Sequence, residues 1–230
     1  MCYRVAVEDI EPNHYVAWLL DLPGCFSSAP TKEGAVADVP GRIASYYAWL
    51  INHDSSLPVV NGPFEVEVVE VFQAFTSDED PDYLVNAFFE DDGRLLRYWD
   101  VEVALRLLRW SRQDLLKLVQ PLPRERLYQA ISGEVHDSIA GVLEHIAGAE
   151  NWYLDQLDVG LDLSTLPDDQ IEKLEAMRAH TQAQLIILVD VDRITENCGE
   201  IWSARKVLRR TLWHERDHTQ HIAQLIACLG

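Results

Sequence analysis

Long apolar runs are missing from this chain of 230 residues, and no stretch approaches the ~20 needed to cross a bilayer. The opening MCYRVAVEDI has no basic stretch followed by an apolar core, so no signal peptide is expected. Cysteine is scarce. The four present (Cys2, Cys25, Cys198, Cys228) lie far apart with no C-x-x-C pair, which argues against a disulfide framework and for reduced thiols in a cytoplasmic protein. Basic residues are few as well: 19 Lys plus Arg stand against 38 Asp plus Glu, for a net charge of −19. Such a surface repels phosphate backbones and attracts cations, so nucleic-acid binding is not expected. No internal repeat or low-complexity tract interrupts the chain. With 48% apolar and 25% charged residues, it can build one large or two modest domains with real cores.

The first part reads as an α+β unit. Tyr3 to Val7 alternates, Glu11-Pro12-Asn13 marks a turn, and Tyr15 to Leu20 is a second apolar strand closed by Leu22-Pro23-Gly24. Thr31 caps a helix reaching Leu50, with Ala35, Val39, Ile43, Tyr46 and Tyr47 at helical spacing; Pro40-Gly41 predicts a weak or kinked first turn. Phe64 to Val71 alternates strictly, as in a strand with one wet face. The acidic, proline-closed segment 76–82 reads as a linker, and Tyr83 to Phe89 as one more strand. From Asp100 the texture turns helical, with amphipathic stretches over 101–119, 137–157, 168–189 and from the cap Ser203 to Leu229. The fold expected is therefore an α+β N-terminal domain with its linker over residues 1–80, followed by an all-α antiparallel four-helix bundle over 81–230.

The chemistry gathers on the last helix. His214 and His218 are four residues apart, so their rings leave one helix face about a turn apart and can bind one divalent ion. They share a stripe with Val207, Thr211 and Leu225 that points toward the core. Two core-facing histidines would otherwise each need a buried partner. A facing helix can add a ligand, for which His145 is the first choice and His136 and His180 are alternatives. Three imidazoles leave coordination positions open, as in catalytic sites. His221 lies near the same face as a further ligand or supporting partner; Asp217 and Glu144 read as outer acceptors or plain surface charges. The segment His214-Glu215-Arg216-Asp217-His218 also matches H-E-x-x-H, in which Glu215 would be the general base of a zinc protease. The short chain after His218, the charged Arg216 and Asp217, and the position of Glu215 about 100° around the helix all argue against that.

Two resemblances follow from these residues. The segment Glu144-His145-Ile146-Ala147-Gly148-Ala149-Glu150-Asn151-Trp152-Tyr153, together with Trp202 to Arg210 running into the His214–His218 pair, resembles the DinB/YfiT-like superfamily of metal-binding four-helix bundles over about residues 97–230. The resemblance implies that His145, His214 and His218 are the metal ligands, with water or substrate in the remaining positions, and that thiol-dependent transferases or isomerases are among the relatives. The N-terminal Leu22-Pro23-Gly24-Cys25-Phe26-Ser27-Ser28, followed by Thr31-Lys32-Glu33-Gly34-Ala35, is similar to the HicB-like antitoxin domain, a partial RNase H-like fold. The expected glutamate near Gly34 is absent, and no helix-turn-helix follows.

The function expected is that of a divalent-metal protein, a metal-dependent transferase or hydrolase acting on a small thiol or another small molecule. The alternative is a binding or regulatory module with structural metal and a protein partner on the N-terminal domain. Zinc, nickel, iron and copper suit an all-histidine site about equally. A homodimer is the default assembly. Arg210, one turn before His214, is a candidate for an anionic substrate, against a solvated basic cluster of Arg205, Lys206, Arg209 and Arg210. Trp110, Trp152 and Trp202 are expected in the core, and Cys25 as a small buried residue rather than a nucleophile.

Overall fold

The structure, a computed structural model, describes residues 2–229. They fall into two compact units: one runs through Arg94 and includes Glu196–Ile201, and the other takes Leu95–Thr195 with the chain from Trp202 onward.

In the first unit, β1 (Cys2–Glu11) and β2 (His14–Leu19) form an antiparallel hairpin whose turn needs the left-handed backbone of Asn13, at φ 60°. β3 (Phe26–Ala29) pairs antiparallel with β2. Helix α1 (Lys32–His53) then crosses over to β4 (Glu65–Gln73), which lies parallel to β1, giving a mixed sheet of order β3-β2-β1-β4. Thr31 caps α1 by accepting the Gly34 N–H at 3.1 Å, and Ala35, Val39, Ile43 and Tyr46 form its buried stripe. The helix continues through Pro40-Gly41. The missing proline N–H costs one helical hydrogen bond, and buried Val39 and Ile43 on either side hold the helix against the sheet.

The alternation over β4 does not produce one wet face. Val5 pairs with Val68 and Ala6 with Glu70, so Val69 is an extra residue that shifts the pleat. Being the outermost strand, β4 leaves Val68, Val69 and Val71 exposed. The acidic segment 76–82 joins the short strands β5 (Phe75–Thr76) and β6 (Leu84–Val85), with the Ser77 N–H on the Tyr83 carbonyl at 2.8 Å. Strand structure ends at Val85. Beyond it, Ala87 is held by its N–H to the Glu8 carboxylate at 2.6 Å, which also accepts from the Trp18 indole at 3.1 Å.

The second unit is helical: α2 (Tyr98–Val119), α3 (Arg124–Leu127), α4 (Ile139–Asp155), α5 (Gln170–Ile187) and α6 (Ala204–Leu229). Ser138, Asp169 and Ser203 side chains accept the first free N–H groups of α4, α5 and α6. Before α6, β7 (Ile194–Asn197) and β8 (Glu200–Ser203) form a ribbon turned by Cys198 and Gly199, both at positive φ. The four long helices pack in a closed cycle, α2 on α6, α6 on α4, α4 on α5 and α5 on α2.

Each of these four helices sends one charge into the middle. Arg112 of α2 donates to Glu215 of α6 at 2.8 Å, and Arg178 of α5 donates to Glu150 of α4 at 2.7 and 3.0 Å and to Glu215 at 2.9 and 3.2 Å. The guanidiniums also donate to backbone carbonyls, Arg112 to Leu174 and Arg178 to Leu108 at 2.8 Å. All four side chains are buried. Burial alone would raise the Glu215 carboxyl. Arg112 and Arg178, through their charges and hydrogen bonds, overcome this and hold it below its ordinary value. Removing one member strands the others. Arg178→Met is expected to destabilise the protein by about 3–5 kcal/mol in denaturant unfolding, whereas apolar replacement of all four together is expected to be near neutral. A loss below about 1 kcal/mol for Arg178→Met would show that the charges are hydrated instead.

Candidate metal centre

α4 and α6 bring His145, His214 and His218 together. The Nε2 of His214 lies 3.0 Å from that of His145 and 3.2 Å from that of His218. One ligand nitrogen from each of the three falls within a 4.8 Å group. The i, i+4 spacing on α6 places its two rings with centroids 4.4 Å apart, and Tyr153 and Trp213 stand edge-on to His214. His214 is buried and the other two are half-buried.

The three nitrogens cannot satisfy one another. A neutral imidazole Nε2 carries either one N–H or one lone pair, so only one of the two contacts of His214 can be a hydrogen bond. Protonation is opposed. Burial, reinforced by the neighbouring imidazoles, lowers His214 well below the usual histidine value and pushes His218 down to about 3; burial and then His136 lower His145. Three neutral imidazoles with converging lone pairs are the donor set of a divalent cation. Tetrahedral ligation at 2.0–2.1 Å would set such nitrogens about 3.3 Å apart, close to the spacing found.

The other candidates separate from this group. His180 is bonded to the Val159 carbonyl at 2.7 Å. Glu144 is exposed beside Lys173 at 3.1 Å. Glu215, the base required by an H-E-x-x-H protease, has its carboxylate occupied by two guanidiniums, which rules out that role in this fold. The basic cluster is not a solvated face. Lys206 is fully buried with its ammonium 4.4 Å from the Trp202 ring centre, Arg210 is buried against Trp213, and Arg205 bonds Asp100 at 2.6 Å. Trp202 is in the core, Trp152 is partly exposed against it, and Cys25 is buried near the Arg42 carbonyl.

Three further residues adjoin the site: His136, an alternative ligand on the sequence, and Glu134 and Gly141, for which the sequence carries no such signal. His136 stacks on His145, and Glu134 meets His221 at 3.0 Å. Gly141 is the third: a Cβ there would fall 1.9 Å from the His136 carbonyl oxygen, so glycine is what lets the loop before α4 close down. The turn signals around Gly133 and the cap Ser138 mark that loop, but nothing local says that it folds back onto the histidines.

Among curated proteins, the UPF0150 protein Ta0767 of Thermoplasma acidophilum is 33% identical over 58 residues, 25% of this chain and 84% of that protein. Over this N-terminal stretch the chain belongs to the UPF0150 family. UPF0150 is a HicB-like family, which supports the HicB-like reading of the N-terminal part. No family model matches the chain, and no solved structure matches it. The UPF0150 stretch covers a quarter of the chain and does not reach the histidine site in the helical part.

Two outcomes follow. Gly141→Ala must displace the His136 carbonyl and is expected to cost about 1–3 kcal/mol in chemical denaturation; an unaffected variant would contradict the close approach. The folded-state histidine values lie below the free value of 6.5, so the unfolded chain binds more protons as pH falls. Stability of the metal-free protein should therefore drop steadily from pH 6.5 toward about 3, the value of His218, and a flat profile across that window would contradict neutral burial.

Proposed function

We propose that this chain is a divalent-metal protein in which His145, His214 and His218 hold one ion, and that it acts as a metal-dependent transferase or hydrolase on a small thiol or related small molecule. The observation that carries the reading is the convergence of three neutral imidazole nitrogens that cannot satisfy one another. The helical part is read as an antiparallel four-helix bundle of the DinB/YfiT-like kind. That reading is supported by the cyclic packing of α2, α6, α4 and α5 and by the placement of one ligand on the second long helix and an i, i+4 pair on the fourth.

Three protein ligands leave room for a water or a thiol, and a bound ion would lower its pKa and polarise it as a nucleophile. The chain's own contribution is to hold three rings neutral in a half-buried setting, so that lone pairs are available at neutral pH. Glu215 supplies no proton acceptor, and its two arginine partners fix α6 instead. Zinc, nickel, iron and copper fit the donors, and availability in the cell would choose among them. A homodimer is the assembly we favour.

A second reading has its own observation. β4 is an edge strand with Val71 59% exposed, and a cavity of about 460 Å³ lined in part by Asp9, Tyr15, Lys32 and Phe72 lies at its end. Such an edge suits strand addition by a protein partner, with the metal then structural.

The test is metal content by elemental analysis of untagged protein purified without chelator. The expected result is one ion per chain, lost in His145→Ala and in His214→Ala. Loss in His214→Ala alone would remove His145 from the ligand set. A wild-type protein that takes up neither zinc nor nickel would overturn the metal reading and leave the binding module.

A further inference from the structure

The loop between α3 and α4 carries two residues that reach the histidine group from outside it. The His136 ring lies 4.2 Å from that of His145, centroid to centroid, with an interplanar angle of 23°, a stacked pair. It also stands edge-on to His218 at 6.2 Å. Two residues earlier, the Glu134 carboxylate meets the His221 Nε2 on α6 at 3.0 Å. One loop therefore touches both helices that carry the proposed ligands.

The loop is built to stay there. Asp137 takes the left-handed backbone at φ 56°, and its carbonyl accepts the Ile131 N–H at 2.7 Å. The Ser138 N–H turns back to the His136 carbonyl at 2.6 Å, while the Ser138 hydroxyl caps α4 through the Gly141 N–H at 3.1 Å. Gly141 has no side chain to push the His136 carbonyl away. His136 is thus fixed at its backbone, one cap away from the helix whose ligand it covers.

A metal-bound histidine ordinarily has its plane set by the second ring nitrogen, which donates to a carboxylate or carbonyl. Among the described residues, none accepts a hydrogen bond from the Nδ1 of His145. The Nδ1 of His218 is buried without a partner among the described residues. What His145 has instead is a ring lying flat against its own. His136 is not itself one of the converging donors.

We propose that His136 is a positioning residue of the metal centre: its imidazole sets the plane of His145 by stacking, and the Glu134–His221 contact ties the same loop to α6, so that the α4 ligand is held in register with the α6 pair. The inference rests on the three-histidine reading above and adds the device that presents its third ligand.

Stacking and ligation make opposite demands on a replacement, which gives the test. Zinc affinity would be measured by chelator competition for the wild type, His136→Phe and His136→Ala, with the cobalt(II) absorption spectrum of each and the melting temperature of each metal-free protein. Phenylalanine keeps a flat ring and has no donor atom. The expected result is that His136→Ala binds zinc about 10–100-fold more weakly, the range for outer-shell partners of a metal ligand. His136→Phe should recover most of that loss, with the wild-type cobalt spectrum and an unchanged melting temperature. Equal loss in both variants with an altered cobalt spectrum would make His136 a ligand and overturn the proposal. Wild-type affinity in His136→Ala would overturn it as well, by making the stack idle. A wild-type protein that binds no ion fails at the earlier step and takes the three-histidine reading down with this one.

Discussion

The buried quartet Arg112, Glu150, Arg178 and Glu215 is the constraint on which the helical unit depends, because it draws one residue from each long helix and tolerates little rotation of any of them. An apolar seam would accept a small turn of α6 about its axis with modest repacking. Two carboxylates sharing two guanidiniums would not, since a shift that breaks one contact leaves a charge in a medium that cannot hydrate it. Glu215 and His214 are adjacent on α6, so fixing the first fixes the direction of the second. The interaction that excludes a protease mechanism is the one that aims the two α6 histidines at α4.

The histidine group has the opposite character. The quartet is closed and internally neutral; the three imidazoles are electron-rich, mutually unsatisfied and kept unprotonated by burial and by each other. A fold that used these residues only for packing would have paired each with its own acceptor, as His180 is paired with Val159 and His221 with Glu134. Their convergence, set against those two ordinary histidines in the same unit, is the argument for a cation. The acidic surface, at net charge −19, favours the approach of such an ion.

Much of this was legible in the residues, and the remainder was not for identifiable reasons. The i, i+4 pair on α6, the facing His145, the caps Thr31 and Ser203 and the strands flanking α1 follow from local periodicity. The quartet was in principle visible: Arg112 lies on the stripe of Leu108, Leu115 and Val119, and Arg178 on that of Leu174, Thr181 and Leu185, charges at core positions that balance only when the helices are seen together. The basic run at 205–210 misled because long side chains can be buried against aromatic rings when a tertiary partner exists, as Lys206 is over Trp202. The exposure of β4 came from its place at the sheet edge and from the extra residue at Val69, neither of which alternation can report. The HicB-like resemblance at the N-terminus found support in the UPF0150 relative, within the quarter of the chain that it covers.

The central claim is that three imidazole nitrogens share one ion with a position left open, and X-ray absorption at the metal edge addresses it most directly. With zinc or nickel added to the full chain, the account predicts a first shell of three imidazoles at about 2.0–2.1 Å plus at least one light atom, the latter changing to sulfur when a small thiol is added. A shell made only of water oxygens, or one closed by four protein ligands and indifferent to thiol, would contradict it.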